Sequence, residues 1–330
     1  MLTKVIIEKL FNIYSYNIDL TNNDGSMLKF ITAPNGYGKT TLLDFVYGIM
    51  SGTKNRLFYI PFRRICLFFV DDTESDCYSV SVERTVSLKP QNEDSDLEEL
   101  EFIKLTYTLA ADKNNEEKEI EKYSMVIDRD GEISKIGHSN NTEMFFVSRT
   151  CHYITDRRLL KVKTDITDGT VEMNSISLSD YAEEMKRILA NPKRKTEYLQ
   201  RIDLFQKLMD RCEYANKRLE IDERFGFRFV ANDELETKLS LDDLSSGEKH
   251  MLVQVFEMLF KAQTGTLVLI DEPELSLHMM WQMNYLKSLE EIIALRGFQC
   301  LVATHSPQIF NSMWSKSVDL YNLSVQPHLH

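Results

Sequence analysis

Ala33-Pro34-Asn35-Gly36-Tyr37-Gly38-Lys39-Thr40-Thr41 is a glycine-rich turn between the apolar run Lys29-Phe30-Ile31-Thr32 and the amphipathic run Leu42-Leu43-Asp44-Phe45-Val46. That order predicts strand, loop, helix. Backbone N–H groups of such a turn converge on an anion, and the helix N-terminus adds its dipole. Lys39 is placed to reach the β- and γ-phosphates of a nucleotide, and the Thr40 hydroxyl to ligate Mg²⁺. Asn35, Gly36, Tyr37, Gly38 and Thr41 complete the candidate cradle. The pattern G-x-x-x-x-G-K-[ST] departs at its first position, where Ala33 stands for glycine; alanine is small enough to keep the turn.

Upstream, residues 3–20 alternate apolar and polar around Val5, Ile7, Leu10, Ile13, Tyr14, Tyr16 and Ile18, which predicts two short strands and then a turn at Asn22-Asn23-Asp24-Gly25. Downstream, the helix from Lys39 to about Met50 stops at Ser51-Gly52, and strands dominate to about Val147. Tyr78 to Leu88 alternates strictly, marking one buried and one wet face. Asn92 to Asp96 and Asp112 to Lys122 read as charged loops, Asp130-Gly131 as a hairpin turn, and Met144 to Val147 as a buried strand. Ser179 suits an N-cap, with Asp180 and Glu183 in the first turn and Asn191-Pro192 at the end. Tyr198, Ile202, Phe205, Met209, Cys212 and Leu219 then recur at helical spacing, predicting a second helix and a short, compact lobe.

Two further runs match the chemistry of the opening loop. Leu244-Ser245-Ser246-Gly247-Glu248 precedes a long apolar helix, so Ser245, Ser246 and the Gly247 amide sit at an anion-favouring N-terminus. Thr266 to Ile270 is a continuous apolar strand running into Asp271-Glu272-Pro273-Glu274. There Asp271 is the candidate Mg²⁺ ligand and Glu272 the carboxylate that polarises an attacking water. Gln299 to Thr304 is another buried strand, ending at His305, a candidate to donate to a γ-phosphate or to position that water.

Composition bounds the rest. The 330 residues suffice for one elaborated domain or two, and 43% hydrophobic content is ordinary for a folded chain. No apolar run approaches the roughly 20 residues needed to span a bilayer, and the N-terminus lacks a signal-peptide layout, so a soluble cytoplasmic protein with no membrane partner is expected. A formal net charge of −12 argues against a surface that coats nucleic acid throughout. Local patches at Lys193-Arg194-Lys195 and Arg157-Arg158 are nonetheless candidate phosphate contacts. Cys66, Cys77, Cys151, Cys212 and Cys300 are scattered without C-x-x-C spacing, which favours buried thiols over a disulfide framework or a zinc site.

Together these runs resemble the ATP-binding cassette (ABC) ATPases of the SMC, RecF and OLD-like group. Ala33 to Thr41 resembles the Walker A loop, Leu244 to Glu248 the signature motif, Thr266 to Glu272 the Walker B strand, and His305 the switch histidine. Glu274-Leu275-Ser276-Leu277-His278 is similar to the D-loop region of the OLD-like branch, and Leu10 to Tyr14 to its opening strand. The likeness covers about residues 1–50 and 225–310 and extends to the stand-alone ATPases of phage-defence systems such as PARIS or Septu. It implies an α/β fold: an ABC-type P-loop ATPase with an antiparallel β-subdomain, a RecA-like parallel sheet core and an inserted short helical lobe. Residues 1–165 would form the N-terminal half of the head, 166–224 the lobe and 225–330 the C-terminal half. The resemblance implies ATP and Mg²⁺ as cofactors and a head-to-tail homodimer or higher oligomer. Each ATP would be held by Lys39, Thr40, Asp271, Glu272 and His305 of one copy and by Ser245 and Gly247 of the other. In this group an aromatic upstream of the loop stacks on adenine, which makes Phe11, Tyr14 and Tyr16 candidates, and a glutamine near the Mg²⁺ is replaced here by Asp156, Arg157 and Arg158. No nuclease-sized segment follows His305, so the expected effector is a separate protein such as a Toprim or HNH nuclease. The alternative is a repair or recombination ATPase that clamps DNA.

Overall fold

The computed structural model describes residues 1–51, 57, 59–70, 77–89, 100–113, 116–127, 133–137, 151–155, 178–212, 214, 216–310 and 313–325. They form two compact units, residues 1–151 with 314–330 and residues 152–313. The Asn92 to Asp96 loop, the Met144 to Val147 strand and Asp156, Arg157 and Arg158 lie outside the described residues.

The first unit opens with β1 (Leu2–Leu10) and β2 (Tyr14–Asp19), an antiparallel pair as the alternation predicts. β3 (Leu28–Thr32) is buried along its whole length and delivers the chain through the glycine-rich loop into α1 (Lys39–Ser51). Then come β4 (Arg64–Val70), β5 (Cys77–Lys89), β6 (Leu100–Lys113), β7 (Glu116–Ile127) and β8 (Ile133–Gly137). With the first two strands they make a seven-stranded antiparallel sheet in the order β2-β1-β4-β5-β6-β7-β8. Of the charged segment Asp112 to Lys122, the described residues 112–113 and 116–122 are therefore strand, not loop, with Asp112 opposite Glu117 and Lys113 opposite Glu116. Ladder pairing satisfies the backbone whatever the side chains carry, and charge alone is a poor guide to a loop.

The second unit begins at His152, within β9 (Cys151–Ile154), and includes α2 (Leu178–Ala190) and α3 (Pro192–Arg211). Helix α2 starts at Leu178, which places Ser179 in its first turn and not at its cap. Asn191 caps α3, its side chain accepting from the Lys193 and Arg194 N–H groups, with Pro192 in the first turn. The apolar face of α3 ends at Cys212. Leu219, which continued that spacing, belongs instead to β10 (Lys217–Asp222), paired with β11 (Gly226–Ala231) and then β12 (Lys238–Leu239). Helix α3 is thus about two turns shorter than the spacing to Leu219 suggested.

Helix α4 (Ser246–Phe256) runs on into a π-type turn at Glu257–Lys261. Strand β13 (Leu267–Asp271) is next, then α5 (Met279–Arg296), β14 (Gln299–Thr304) and the short α6 (Pro307–Phe310). β13 and β14 pair in parallel, Asp271 opposite Ala303, and β9 flanks β13. Near-complete burial of both strands explains their unbroken apolar runs. The chain returns to the first unit with β15 (Ser317–Asp319), parallel to β3, and α7 (Leu320–Val325). Parallel strands, a separate antiparallel sheet and helices give the expected α/β P-loop ATPase architecture. Among the described residues no helix is long and apolar enough to cross a membrane. Of the cysteines, Cys66, Cys212 and Cys300 are buried as expected, whereas Cys77 is exposed.

Candidate active site

In the first unit the loop after β3 turns on Gly36 and Gly38, at φ +90° and +86°. A Cβ on Gly38 would stand 2.7 Å from the Leu10 side chain, so only glycine lets the loop settle on the end of β1. At Gly36 a Cβ would meet open space, the clearance a phosphate cradle needs. Ala33 is absent from the left-handed region, so its departure from the glycine pattern costs the turn nothing. Lys39 is buried, its Nζ donating to the Ala33 carbonyl at 2.9 Å. Thr40 and Thr41 occupy the first turn of α1, Thr41 buried and Thr40 partly exposed. The Tyr16 hydroxyl donates to the Tyr37 carbonyl at 2.9 Å, and the Tyr14 ring lies 5.9 Å from that of Tyr16 and 5.3 Å from that of Tyr37. Tyr16 is 2% exposed and offers no face to a base, which leaves Phe11 and Tyr14, both partly exposed, as the aromatic candidates.

In the second unit the carboxylates and the histidine meet. Asp271 ends β13, buried, and the Glu272 N–H donates to the Ala303 carbonyl at 2.9 Å, extending the ladder by one rung. Glu272 itself takes φ +47°, leaving the strand so that its carboxylate meets His305 Nδ1 at 2.5 Å. Glu274, quoted above only as part of the D-loop region, is the third member. Its Oε1 lies 3.0 Å from the same Nδ1. Burial is the main reason its carboxyl sits above the ordinary carboxylate range, with the neighbouring Glu272 adding to it. Glu272, Glu274 and His305 offer atoms within 4.8 Å of one another, a set that suits a cation as well as a proton.

Ser245 to Glu248 form a capping box on α4. The Ser245 hydroxyl accepts from the Glu248 N–H at 3.3 Å and the Ser245 N–H donates to Glu248 Oε2 at 2.7 Å. Lys217 of β10 grips both Glu248 oxygens, at 2.8 and 2.9 Å. Burial works to raise the Glu248 carboxyl, but Lys217 and the Ser245 groups outweigh it and hold it below the usual value. Glu248 is thus committed within its own chain, whereas Ser245 and Ser246 are exposed. Gly247 is buried, and a Cβ there would come within 2.2 Å of the Ser276 carbonyl oxygen.

One buried polar cluster had no visible trace in the sequence: Glu257, in the π-type turn, takes the Tyr181 hydroxyl at 2.8 Å and meets His152 Nε2 at 2.7 Å. Lys193, Arg194 and Lys195 are exposed in the first turn of α3.

Three SMC structures are similar to this chain, each over 94% of it and 91% of the other chain. They are an SMC head bound to the C-winged helix domain of ScpA (TM-score 0.49, 12% identity), the SMC head domain from Thermotoga maritima (0.44, 13%), and an SMC head with an extended coiled coil bound to a ScpA domain from Pyrococcus furiosus (0.42, 12%). The "Retron Ec83 probable ATPase" of Escherichia coli is 33% identical over 97 residues, spanning 26% of this chain and 18% of that protein's length. The model of the family described as "AAA domain, putative AbiEii toxin, Type IV TA system" matches residues 34–311, most of the chain, and the protein belongs to that family.

Proposed function

We propose that this protein is an ATPase that pairs head to tail with a second copy around ATP and Mg²⁺. Closing and opening of the pair would gate a separate effector, a nuclease or toxin, in antiviral defence. The observation that carries the hydrolytic reading is the 2.5 Å contact of Glu272 with His305 beside the buried Asp271. The open cradle at Gly36 fits phosphate, and the Thr40 hydroxyl and the Asp271 carboxylate are each the kind of oxygen ligand that Mg²⁺ would take. ATP supplies the transferable γ-phosphoryl group, and Mg²⁺ the positive charge that offsets its oxygens. Lys39 exchanges the Ala33 carbonyl for phosphate, with the amides of Asn35 to Thr41 around it. Glu272 polarises the attacking water and takes its proton, and His305 holds the water or the γ-phosphate. Ser245, Ser246 and the Gly247 amide of the second copy complete the site, because a capped helix N-terminus with exposed serines favours an anion. The defence role is supported by the retron ATPase likeness and the family description.

The test is Glu272→Gln. It should abolish phosphate release while retaining ATP and the ATP-dependent pair seen by light scattering; normal hydrolysis by the variant would sink the assignment. The exposed Lys193-Arg194-Lys195 favours a second reading, a DNA clamp, which requires steeply salt-dependent DNA affinity that is lost when those residues are neutralised.

A further inference from the structure

Glu274 enters none of the steps above, yet it has a dense polar environment. Its side chain is 4% exposed. Oε1 accepts from Thr304 Oγ1 at 2.6 Å, from the His305 N–H at 2.9 Å and from the Ser306 N–H at 3.2 Å, and faces His305 Nδ1 at 3.0 Å. One oxygen therefore grips three consecutive residues, with the histidine in the middle. The other oxygen, Oε2, is buried without a hydrogen-bond partner. Burying a carboxyl group with one unsatisfied oxygen is costly, and an apolar side chain would fill the space without that cost. What the carboxyl adds is a hold on the backbone that carries His305.

We infer that Glu274 is a positioning residue: it clamps Thr304 to Ser306 and, with Glu272, fixes the His305 proton on Nδ1, leaving Nε2 as the nitrogen that faces the reacting groups. A ring nitrogen's state is set by the hydrogen bond the other nitrogen makes, and here two carboxyl oxygens converge on Nδ1. The inference deepens the hydrolytic reading and rests on it for its kinetic half.

The experiment uses the full chain with Glu274→Ala and Glu274→Gln, alone and combined with His305→Ala. Glu274→Ala should lower kcat by about tenfold or more with little change in the KM for ATP. Glu274→Gln, which keeps an oxygen for the three donors, should recover part of that loss. In the His305→Ala background Glu274→Ala should cost nothing further, because it acts through the missing ring. Independently of turnover, imidazole ¹⁵N spectra should show His305 protonated at Nδ1 in the native protein and shifted toward Nε2–H in Glu274→Ala. Additive losses in the double variant, or an unchanged His305 ring in Glu274→Ala, would overturn the inference. If Glu274→Ala does not fold, Glu274→Gln carries both measurements, with a smaller shift expected. Normal hydrolysis by Glu272→Gln would defeat the hydrolytic reading alone, since the ring spectra still decide the positioning.

Discussion

Glu272 meets His305 at 2.5 Å from a backbone held in the left-handed region, at φ +47°. An L-residue without a turn-adapted side chain pays of order 1 kcal/mol or more for that conformation. The strain buys an orientation, because continued extended backbone would alternate the side chain to the other face of the sheet.

Glu272→Asn should therefore separate stability from activity. Asparagine tolerates the left-handed region, and removing the carboxylate relieves one of the causes that raise the Glu274 carboxyl. Thermal unfolding should occur no lower than in the native protein, while phosphate release disappears. A fall in Tm of several degrees would mean that the histidine contact outweighs the backbone strain.

Ala33 and Gly38 should respond in opposite ways to a single methyl group. Ala33→Gly should keep ATP affinity and lose about 0.5–1 kcal/mol of stability, through added unfolded-state freedom. Gly38→Ala meets both φ +86° and the Leu10 side chain at 2.7 Å. It should lose ATP binding, measured by calorimetric titration, and about 1–3 kcal/mol of stability. Equal affinities for the two variants would remove the loop from the nucleotide site.

The parts of the fold legible in the sequence are those specified locally. The strand, loop and helix from Leu28 to Ser51 follow from patterning within about a dozen residues, and the Ser245 to Glu248 box from a four-residue spacing. β10 was hidden because Leu219 happens to continue the helical spacing of α3, and only pairing with β11 makes that segment a strand. The clamp at Glu274 and the cluster at Glu257 were hidden for a different reason. Their partners lie 30 and 76 residues away in sequence, so the contacts exist only after the sheet and the helices have packed.

Lys217→Met should destabilise the protein at neutral pH by roughly 2 kcal/mol, since it removes the cation from a nearly buried carboxylate. The Glu248 carboxyl is held below its ordinary value of 4.5, so its pairing contributes fully above that pH and is lost as pH falls through the depressed folded value. The difference in Tm between native and variant should accordingly be largest near pH 7 and shrink below about pH 4. A difference that stays constant through the acid range would show that Lys217 acts by packing alone.

Gly247→Ala tests whether the start of α4 and the turn after β13 form one mechanical piece. A Cβ on Gly247 would stand 2.2 Å from the Ser276 carbonyl oxygen, a distance no real contact allows. Ser276 cannot simply yield. It sits at φ +64°, and the Leu277 N–H beside it donates to the Glu274 carbonyl at 3.0 Å, which ties the turn to the residue that holds His305. The first turn of α4 must move instead, carrying Ser245 and Ser246 with it. The variant should lose about 1–3 kcal/mol of stability. It should still bind ATP, because Lys39, Gly36 and Gly38 are untouched, but it should no longer pair in the presence of ATP when measured by light scattering. Ser276→Gly is the matched control: it removes the strain at φ +64° without adding an atom, and both pairing and stability should be retained. Normal ATP-dependent pairing by Gly247→Ala would show that these two segments adjust independently and that the exposed serines are not held in place from the β13 side.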